Sequence, residues 1–344
     1  MSKIWSKAKI RSIEFGNRIV RSATNEFLGT GNGEVTNGHL EVYSDLAKSG
    51  VGLIITSHMA IDKSQRGHLT HICVNEPQNF EKLKQLTSVV HENNSKIIAQ
   101  ISYGGHYASL IDGQVAKSPS STKKSKEITN KEIDEFIQGY ITTTKRVQEA
   151  GFDGVQLHAA HGYFLSEFLD PFYNKRTDEY GGSVDNRYRI IHKILTGIKE
   201  IVDPKFLVII KIDSNSVDDA PGFLEDQIKI CKLLEQDAVD AIEVSGHGKF
   251  KHKGDNPLFL ENTLKIKREI TIPVIAVGGF RTVEQIQNAL DKGVDFVAMA
   301  RPFIADANLI QRLKDSGKSN CIDCGKCFEI YKTHHKRCAL QIGR

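Results

Sequence analysis

The chain has 344 residues, 40% of them apolar and 26% charged, a balance that excludes both a disordered polypeptide and a peptide-sized module. Its 46 basic and 42 acidic residues are interspersed and leave a net charge of only +4, and the one basic run, Lys117 to Lys126, carries no interleaved aromatic residues; it reads as a solvated loop, and nucleic acid is not an expected partner. No stretch approaches the roughly 20 apolar residues of a membrane span, and Met1 to Trp5 opens no signal-like apolar run, so a cytoplasmic protein without a membrane partner is expected.

From the N-terminus onward, short β-branched runs alternate with longer segments of helical spacing. A strand over Ile19 to Thr24 leads to a helix at about His39 to Lys48, Val51 to Thr56 leads to Gln78 to Glu92, and Lys96 to Ile101 leads to Asn130 to Ala150. Gly154 to His158 is followed by Val184 to Ile201, Phe206 to Ile212 by Leu224 to Gln236, and Ala241 to Ser245 by Phe259 to Glu269. The last two pairs are Pro273 to Gly278 with Val283 to Lys292, and Asp295 to Ala300 with Ala305 to Lys314.

Runs such as Leu207-Val208-Ile209-Ile210 are apolar at successive positions, as in a parallel strand buried on both faces. The expected fold is therefore α/β, a TIM (β/α)8 barrel over residues 1–315, with a short cysteine-rich tail over 316–344 packed on it. A doubly wound open sheet is the rival, but no G-x-G-x-x-G follows the first strand. The insertions Ser102 to Thr129 and Ala159 to Ser183 are long enough to be functional loops.

Active sites of barrels lie where the strands end. The polar residues there are Thr24 and Asn25, Ser57 and His58, Gln100, His158 with His161, Lys211, Ser245 with Gly246, Gly278 with Gly279, and Arg301. Gly278-Gly279 closes the seventh strand and Arg301 the eighth, where glycine backbone N–H groups and a guanidinium together suit a phosphate. The densest set is His158-Ala159-Ala160-His161-Gly162-Tyr163. Zinc would need a third ligand and an outer carboxylate that the sequence does not place, and a packed histidine pair is the bland alternative. The remaining reading is an oxyanion clamp: two imidazole N–H groups hold a carbonyl or nitro oxygen, and a phenol, protonated at pH 7, delivers a proton.

The run from His158 to Arg187, with Asn174, Arg176, Asp178, Tyr180, Gly181, Gly182, Ser183, Asn186 and Arg187 in place, closely resembles the old yellow enzyme family of FMN-dependent ene-reductases. Asn17 to Thr24, Ala99 to Ser102, Ala276 to Phe280 and Ala298 to Asp306 extend the resemblance nearly end to end. It implies a barrel with FMN at its mouth, reduced by NADH or NADPH and reoxidised by an activated alkene, quinone or similar small-molecule acceptor. The implied FMN-binding set is Ala23, Thr24, Asn25, His58, Gln100, Lys211, Gly278, Gly279, Ala300 and Arg301. Ala23 to Asn25 would run beside N5 and O4, Gln100 would bond the pyrimidine portion, Lys211 would sit near N1, and Gly278, Gly279, Ala300 and Arg301 would hold the phosphate. His158 and His161 would bind the acceptor oxygen and Tyr163 would donate the proton. Lys211 stands where many members carry Arg, Asn25 where the better-known members carry Thr or Cys, and Phe27 where one branch has Tyr. A homo-oligomer is compatible with the family.

Cys321-x2-Cys324-x2-Cys327-x10-Cys338 has the spacing of a metal-ligand set. Larger two-flavin members of the wider family, of the 2,4-dienoyl-CoA reductase kind, bind a [4Fe–4S] cluster with a similar tail. Here two intervals are one residue shorter, and with Arg344 as the last residue the second flavin domain that a cluster would serve is not expected. A [4Fe–4S] cluster, zinc with help from His334 or His335, and reduced thiols without metal all stay open. Another FMN barrel oxidoreductase, or an iron–sulfur electron-transfer protein on a barrel scaffold, is the alternative function.

Overall fold

A computed structural model describes residues 2–108, 115–247, 256–330 and 335–341. Parallel strands β1 (Ile19–Arg21), β2 (Leu53–Ala60), β3 (Lys96–Ser102), β4 (Gly154–Ala159), β5 (Leu207–Asp213), β6 (Ala241–Ser245), β7 (Val274–Val277) and β8 (Phe296–Met299) pair in chain order. The barrel closes where β8 meets β1, with Ala298 opposite Val20. The helices that follow the strands in turn are α1 (Asn37–Lys48), α2 (Phe80–His91), α3 (Asn130–Glu149), α4 (Val184–Ile201), α5 (Phe223–Gln236), α6 (Leu260–Glu269), α7 (Val283–Asp291) and α8 (Leu309–Ser316). The expected barrel is the one observed; the last helix begins later than expected because Arg301–Ala305 forms a separate short helix ahead of it.

The strands are apolar at consecutive positions because they serve two cores. In β5, Leu207 and Ile209 point to the barrel axis, whereas Val208, Ile210 and Ile212 join the larger layer between strands and helices. A one-residue slip would exchange the two sets, so the register is strongly specified. Thr129 with Glu132 and Thr282 with Gln285 form capping boxes that start α3 and α7.

Two features escaped the sequence pattern. The strands Ala8–Ile10 and Ile13–Phe15 make a hairpin whose Ala8, Ile10 and Phe15 join the interior core, Phe15 meeting Phe296 edge-on at 5.6 Å. Three-residue strands are too short to show a period. The basic run, expected as a solvated loop, instead contributes to a two-stranded ribbon in which Ala116–Ser118 pairs with Ser125–Glu127, and Lys117 is tied to Glu132 at 2.6 Å.

Much of the long run after β4 is a clasp. The buried Arg176 guanidinium donates to the Ile128 carbonyl and to Asn130 Oδ1, both at 2.6 Å, while Asn174 Nδ2 bonds the carbonyls of Phe168 and Tyr180. Arg187 Nη2 reaches Asp226 at 2.5 Å. These bonds tie the run after β4 to the residues that open α3 and to α5.

Candidate active site

At the C-terminal ends of the strands the barrel opens into a cavity of about 660 Å³. Ala23, Thr24, Asn25, His58, Gln100, His158, His161, Tyr163, Lys211, Gly278, Ala300 and Arg301 all line it. Gly279 lines a small adjoining recess that shares Gly278, Ala300 and Arg301. Residues spread over nearly 280 positions thus meet at one mouth because the closed sheet brings every strand end to the same rim.

The floor is a buried chain of hydrogen bonds. Gln100 Nε2 donates to Gln156 Oε1 at 2.6 Å, and Gln156 Nε2 donates to Glu243 Oε2 at 2.8 Å. The other Glu243 oxygen accepts from Ser22 Oγ at 2.6 Å and from Lys211 Nζ at 3.2 Å, and Lys211 also reaches Ser22 Oγ at 3.0 Å. Lys211 is therefore not a lone cation beneath the cavity; a fully buried carboxylate compensates it. A buried charge is tolerable only when paired in this way. Sequence reasoning missed Glu243 although it left a signal, an acid inside the otherwise apolar run of β6.

The imidazoles crowd one side. His158 lies with its ring centroid 5.3 Å from His161 and 4.7 Å from Tyr163, and His58 is 5.0 Å from Tyr163. His58 Nε2 faces His71 Nε2 at 2.6 Å, so one of that pair donates and the other accepts. Burial dominates their titration: it pulls His58 down to about 3 and His161 to about 4, Asp213 partly offsetting the fall for His161, and it holds His158 and His71 well below the usual imidazole range. At neutral pH these rings are uncharged. Burial also raises the Tyr163 phenol above its ordinary value, so it stays protonated.

Asp213, at the end of β5, sets the histidine loop. It accepts from the His161 backbone N–H at 2.6 Å and pairs with His247 Nε2 at 3.1 Å. His161 has φ 64°, a left-handed conformation that a side chain disfavours by about 1–2 kcal/mol, and the Asp213 bond helps hold it there. Its Nε2 meets Ser245 Oγ at 2.8 Å, whereas the buried Nδ1 of His158 has no hydrogen-bond partner. A buried orphan of this kind points to a ligand atom.

The opposite wall carries the glycines. Gly278 has φ 112° and Gly279 82°, and a Cβ on Gly278 would lie 2.8 Å from Phe259 Cδ2, so only glycine allows this close approach. Arg301 is ion-paired with Asp323 of the tail, and Arg281 Nη1 reaches the second oxygen of the same carboxylate at 3.0 Å. The tail also supplies wall: Phe328 and Lys336 line the cavity, with the Lys336 ammonium 4.9 Å from the ring centroids of both Phe27 and Phe328. Asp323, Arg281, Phe328 and Lys336 had no sequence signal beyond residue type.

The donor set suits a planar heterocycle with an anionic tail: an amide and an ammonium on the floor, backbone glycines and a guanidinium on the wall, and an unsatisfied imidazole nitrogen above. These residues fit FMN. The cysteine tail gives a different result. Among the described residues, no group of three or more His, Cys, Asp or Glu side chains could hold a metal ion. Cys321, Cys324, Cys327 and Cys338 are unpaired thiols, and burial raises Cys321 and Cys327 despite the nearby Arg301. His334 lies outside the described residues.

Residues 3–320 match the model of the NADH:flavin oxidoreductase / NADH oxidase family. The chain is 31% identical to a metal reductase of Desulforamulus reducens over 95% of its own length, but spans only 51% of that relative. It is 32% identical to an NADPH dehydrogenase of Geobacillus sp. over 88% of its own length and 90% of the relative's. Its fold matches the old yellow enzyme homologue from Zymomonas mobilis with a TM-score of 0.82 at 22% identity, covering 93% of this chain and 95% of that one. The barrel, the cavity and these likenesses agree, and the chain belongs to the NADH:flavin oxidoreductase / NADH oxidase family.

Proposed function

We propose that the chain is an FMN-dependent NAD(P)H oxidoreductase of the ene-reductase type, acting on an activated alkene, a quinone or a similar small molecule. The observation that carries this reading is the convergence of two neutral histidines, a protonated tyrosine and a buried lysine on one cavity. When bound there, FMN supplies the hydride chemistry, taking two electrons and a proton from NADH or NADPH and passing them to the acceptor.

The chain's own residues do the rest. His158 and His161 bind the acceptor's electron-withdrawing oxygen, and their donors strengthen as that oxygen gains negative charge in the transition state. Neutral imidazoles suit the task because each keeps one N–H without adding a buried charge. Tyr163 gives its proton to the carbon adjacent to the activating group, and solvent restores it; the saturated product gains one hydride and one proton. Gln100 and Lys211 take the polar edge of the cofactor, Ala23, Thr24, Asn25 and His58 its flank, and Gly278, Gly279, Ala300 and Arg301 its phosphate. Glu243 and Asp213 are positioning residues, the first holding Lys211 and the second the His161 turn.

The same reading takes residues 1–315 as the flavin barrel and 316–344 as a tail that closes one wall. It places the protein in the cytoplasm, where the reductant is available and where six unpaired thiols persist. No helix among the described residues is long and apolar enough to cross a membrane.

The test is spectroscopic. Protein supplied with FMN should show a flavin spectrum that NADH or NADPH bleaches without oxygen and that an enone, nitroalkene or quinone restores. Failure to bind FMN, or a bound flavin that neither nucleotide reduces, overturns the proposal.

A further inference from the structure

Tyr163 can act as a proton donor only if its proton is replaced in every cycle, and a second tyrosine stands between it and solvent. The Tyr163 ring is faced by His158 at 4.7 Å, His58 at 5.0 Å and Tyr107 at 5.6 Å between centroids. His158 is buried and committed to the acceptor oxygen, and His58 is bonded through Nε2 to His71, itself buried. Tyr107 lines the same cavity and is 47% exposed.

The loops hold Tyr107 against the donor. A short helix, Phe164–Leu169, begins just after Tyr163, and within it Glu167 donates its backbone N–H to the Tyr163 carbonyl at 2.9 Å. The fully buried Glu167 side chain accepts from the His106 backbone N–H at 2.9 Å and is bonded to the His106 Nδ1 as well. One residue thus ties Tyr163 to the loop that carries Tyr107. A Cβ on Gly105 would lie 2.5 Å from Glu167 Oε2, so only glycine, here at φ 57°, lets the acid close on that loop. On the other side His106 stacks on Tyr173 at 5.2 Å and 23°. At Gly162, with φ 74°, a Cβ would lie 3.1 Å from the Tyr173 hydroxyl and 3.2 Å from Tyr107 Cε2, so glycine lets this aromatic row close over the turn between His161 and Tyr163.

The hydroxyls are also ordered in one direction. Burial and the Glu167 and Asp213 charges raise the Tyr107 phenol, and a hydrogen bond donated by Tyr173 partly offsets the rise. A phenol oxygen that accepts on one side still has its own O–H to give on the other. Tyr163, raised by burial and further by Tyr107, becomes a phenolate of high proton affinity once it has given its proton away.

We propose that Tyr107, a positioning residue acting through Tyr163, passes a proton from solvent to the Tyr163 phenolate after each turnover. This rests on the ene-reductase reading above. The transfer balances: the Tyr163 oxygen regains the proton that it lost to the product carbon, the Tyr107 oxygen regains one from solvent, and no electron moves. Over the cycle one solvent proton is consumed, the one that the saturated product carries.

The experiment separates the first turnover from later ones in the FMN-loaded enzyme with 2-cyclohexenone. In Tyr107→Phe, which keeps the ring and loses the hydroxyl, stopped-flow reoxidation of the prereduced enzyme should keep the wild-type rate, because Tyr163 starts protonated. Steady-state turnover with saturating NADH or NADPH should fall by about 100-fold, the lower end of what a positioned proton-transfer group contributes. Added imidazole, a soluble proton donor, should restore it, and Tyr107→His, which returns a proton-carrying group to the position, should turn over faster than Tyr107→Phe. An unchanged steady-state rate in Tyr107→Phe overturns the proposal. So does an equal loss in the first and later turnovers, or a loss that imidazole does not relieve, since either would give the hydroxyl a structural part only. Wild-type enzyme that binds no FMN, or whose flavin is neither reduced by NAD(P)H nor reoxidised by the enone, sinks the underlying reading instead.

Discussion

Arg301, at the end of β8, and Asp323, in the cysteine-rich tail, are joined by an ion pair whose carboxylate Arg281 shares at 3.0 Å. One buried acid thereby orients two guanidiniums, Arg301 at the wall of the cavity and Arg281 in the adjoining recess, and anchors the segment that delivers Phe328 and Lys336.

Asp323→Asn removes the carboxylate charge that both arginines share and should cost about 3 kcal/mol of stability, the lower end for breaking a buried pair. Urea unfolding measures the loss, and limited proteolysis should cut the variant's tail sooner than the wild type's. A variant as stable and as resistant as the parent would show that the pair does not anchor the tail.

His158→Ala combined with His161→Ala removes both donors to the acceptor oxygen. A single donor of this kind is worth about 10²–10³ in kcat, so turnover of 2-cyclohexenone should fall at least 100-fold while FMN stays bound. Stopped-flow reoxidation of the reduced flavin by the enone reads the step directly, and unimpaired reoxidation contradicts the roles given to the pair.

Acid should destabilise the protein through the same site. In the unfolded chain His58 and His161 take up protons near pH 6.5, whereas burial delays this in the folded site to about 3 and about 4. The unfolded state therefore binds more protons in that window, so stability rises with pH through it and is lost as pH falls from about 6.5. Each histidine should cost about 2 kcal/mol between pH 7 and pH 5. His247 works in the opposite sense: burial lowers its pKa, but the Asp213 hydrogen bond and charge outweigh burial and raise it, so its contribution is lost as pH rises. Unfolding midpoints at the two pH values, with His58→Gln as the control that flattens the slope, decide the matter.

Glu243→Gln removes the negative charge that compensates Lys211 beneath the cavity. The reduced flavin gains anionic character, so an uncompensated lysine should raise its potential by roughly 30–60 mV, equivalent to about 1.4–2.8 kcal/mol for a two-electron couple. The variant should also be less stable, because it leaves a buried ammonium with neutral partners. An equilibrium redox titration against dyes of known potential measures the first effect, and an unaltered potential would exclude electrostatic control by this pair.

The sequence by itself determined the barrel and most of its rim. Strand runs apolar at consecutive positions and helices of 3.6-residue period are local patterns, and a barrel puts every strand end on one face, which brings Gln100, His158, Lys211 and Arg301 to one rim. The tertiary structure alone decided their partners. Ser22 and Lys211 are 189 residues apart, as Gln156 and Glu243 are 87 and Arg301 and Asp323 are 22. No local period relates such positions, and each becomes a neighbour only when the sheet closes and the tail folds back on it. The hairpin beneath the barrel, the two arginines on one tail carboxylate and the aromatic row over Gly162 belong to that second group. Their energy comes from burial and pairing across the chain, which exist only in the folded state.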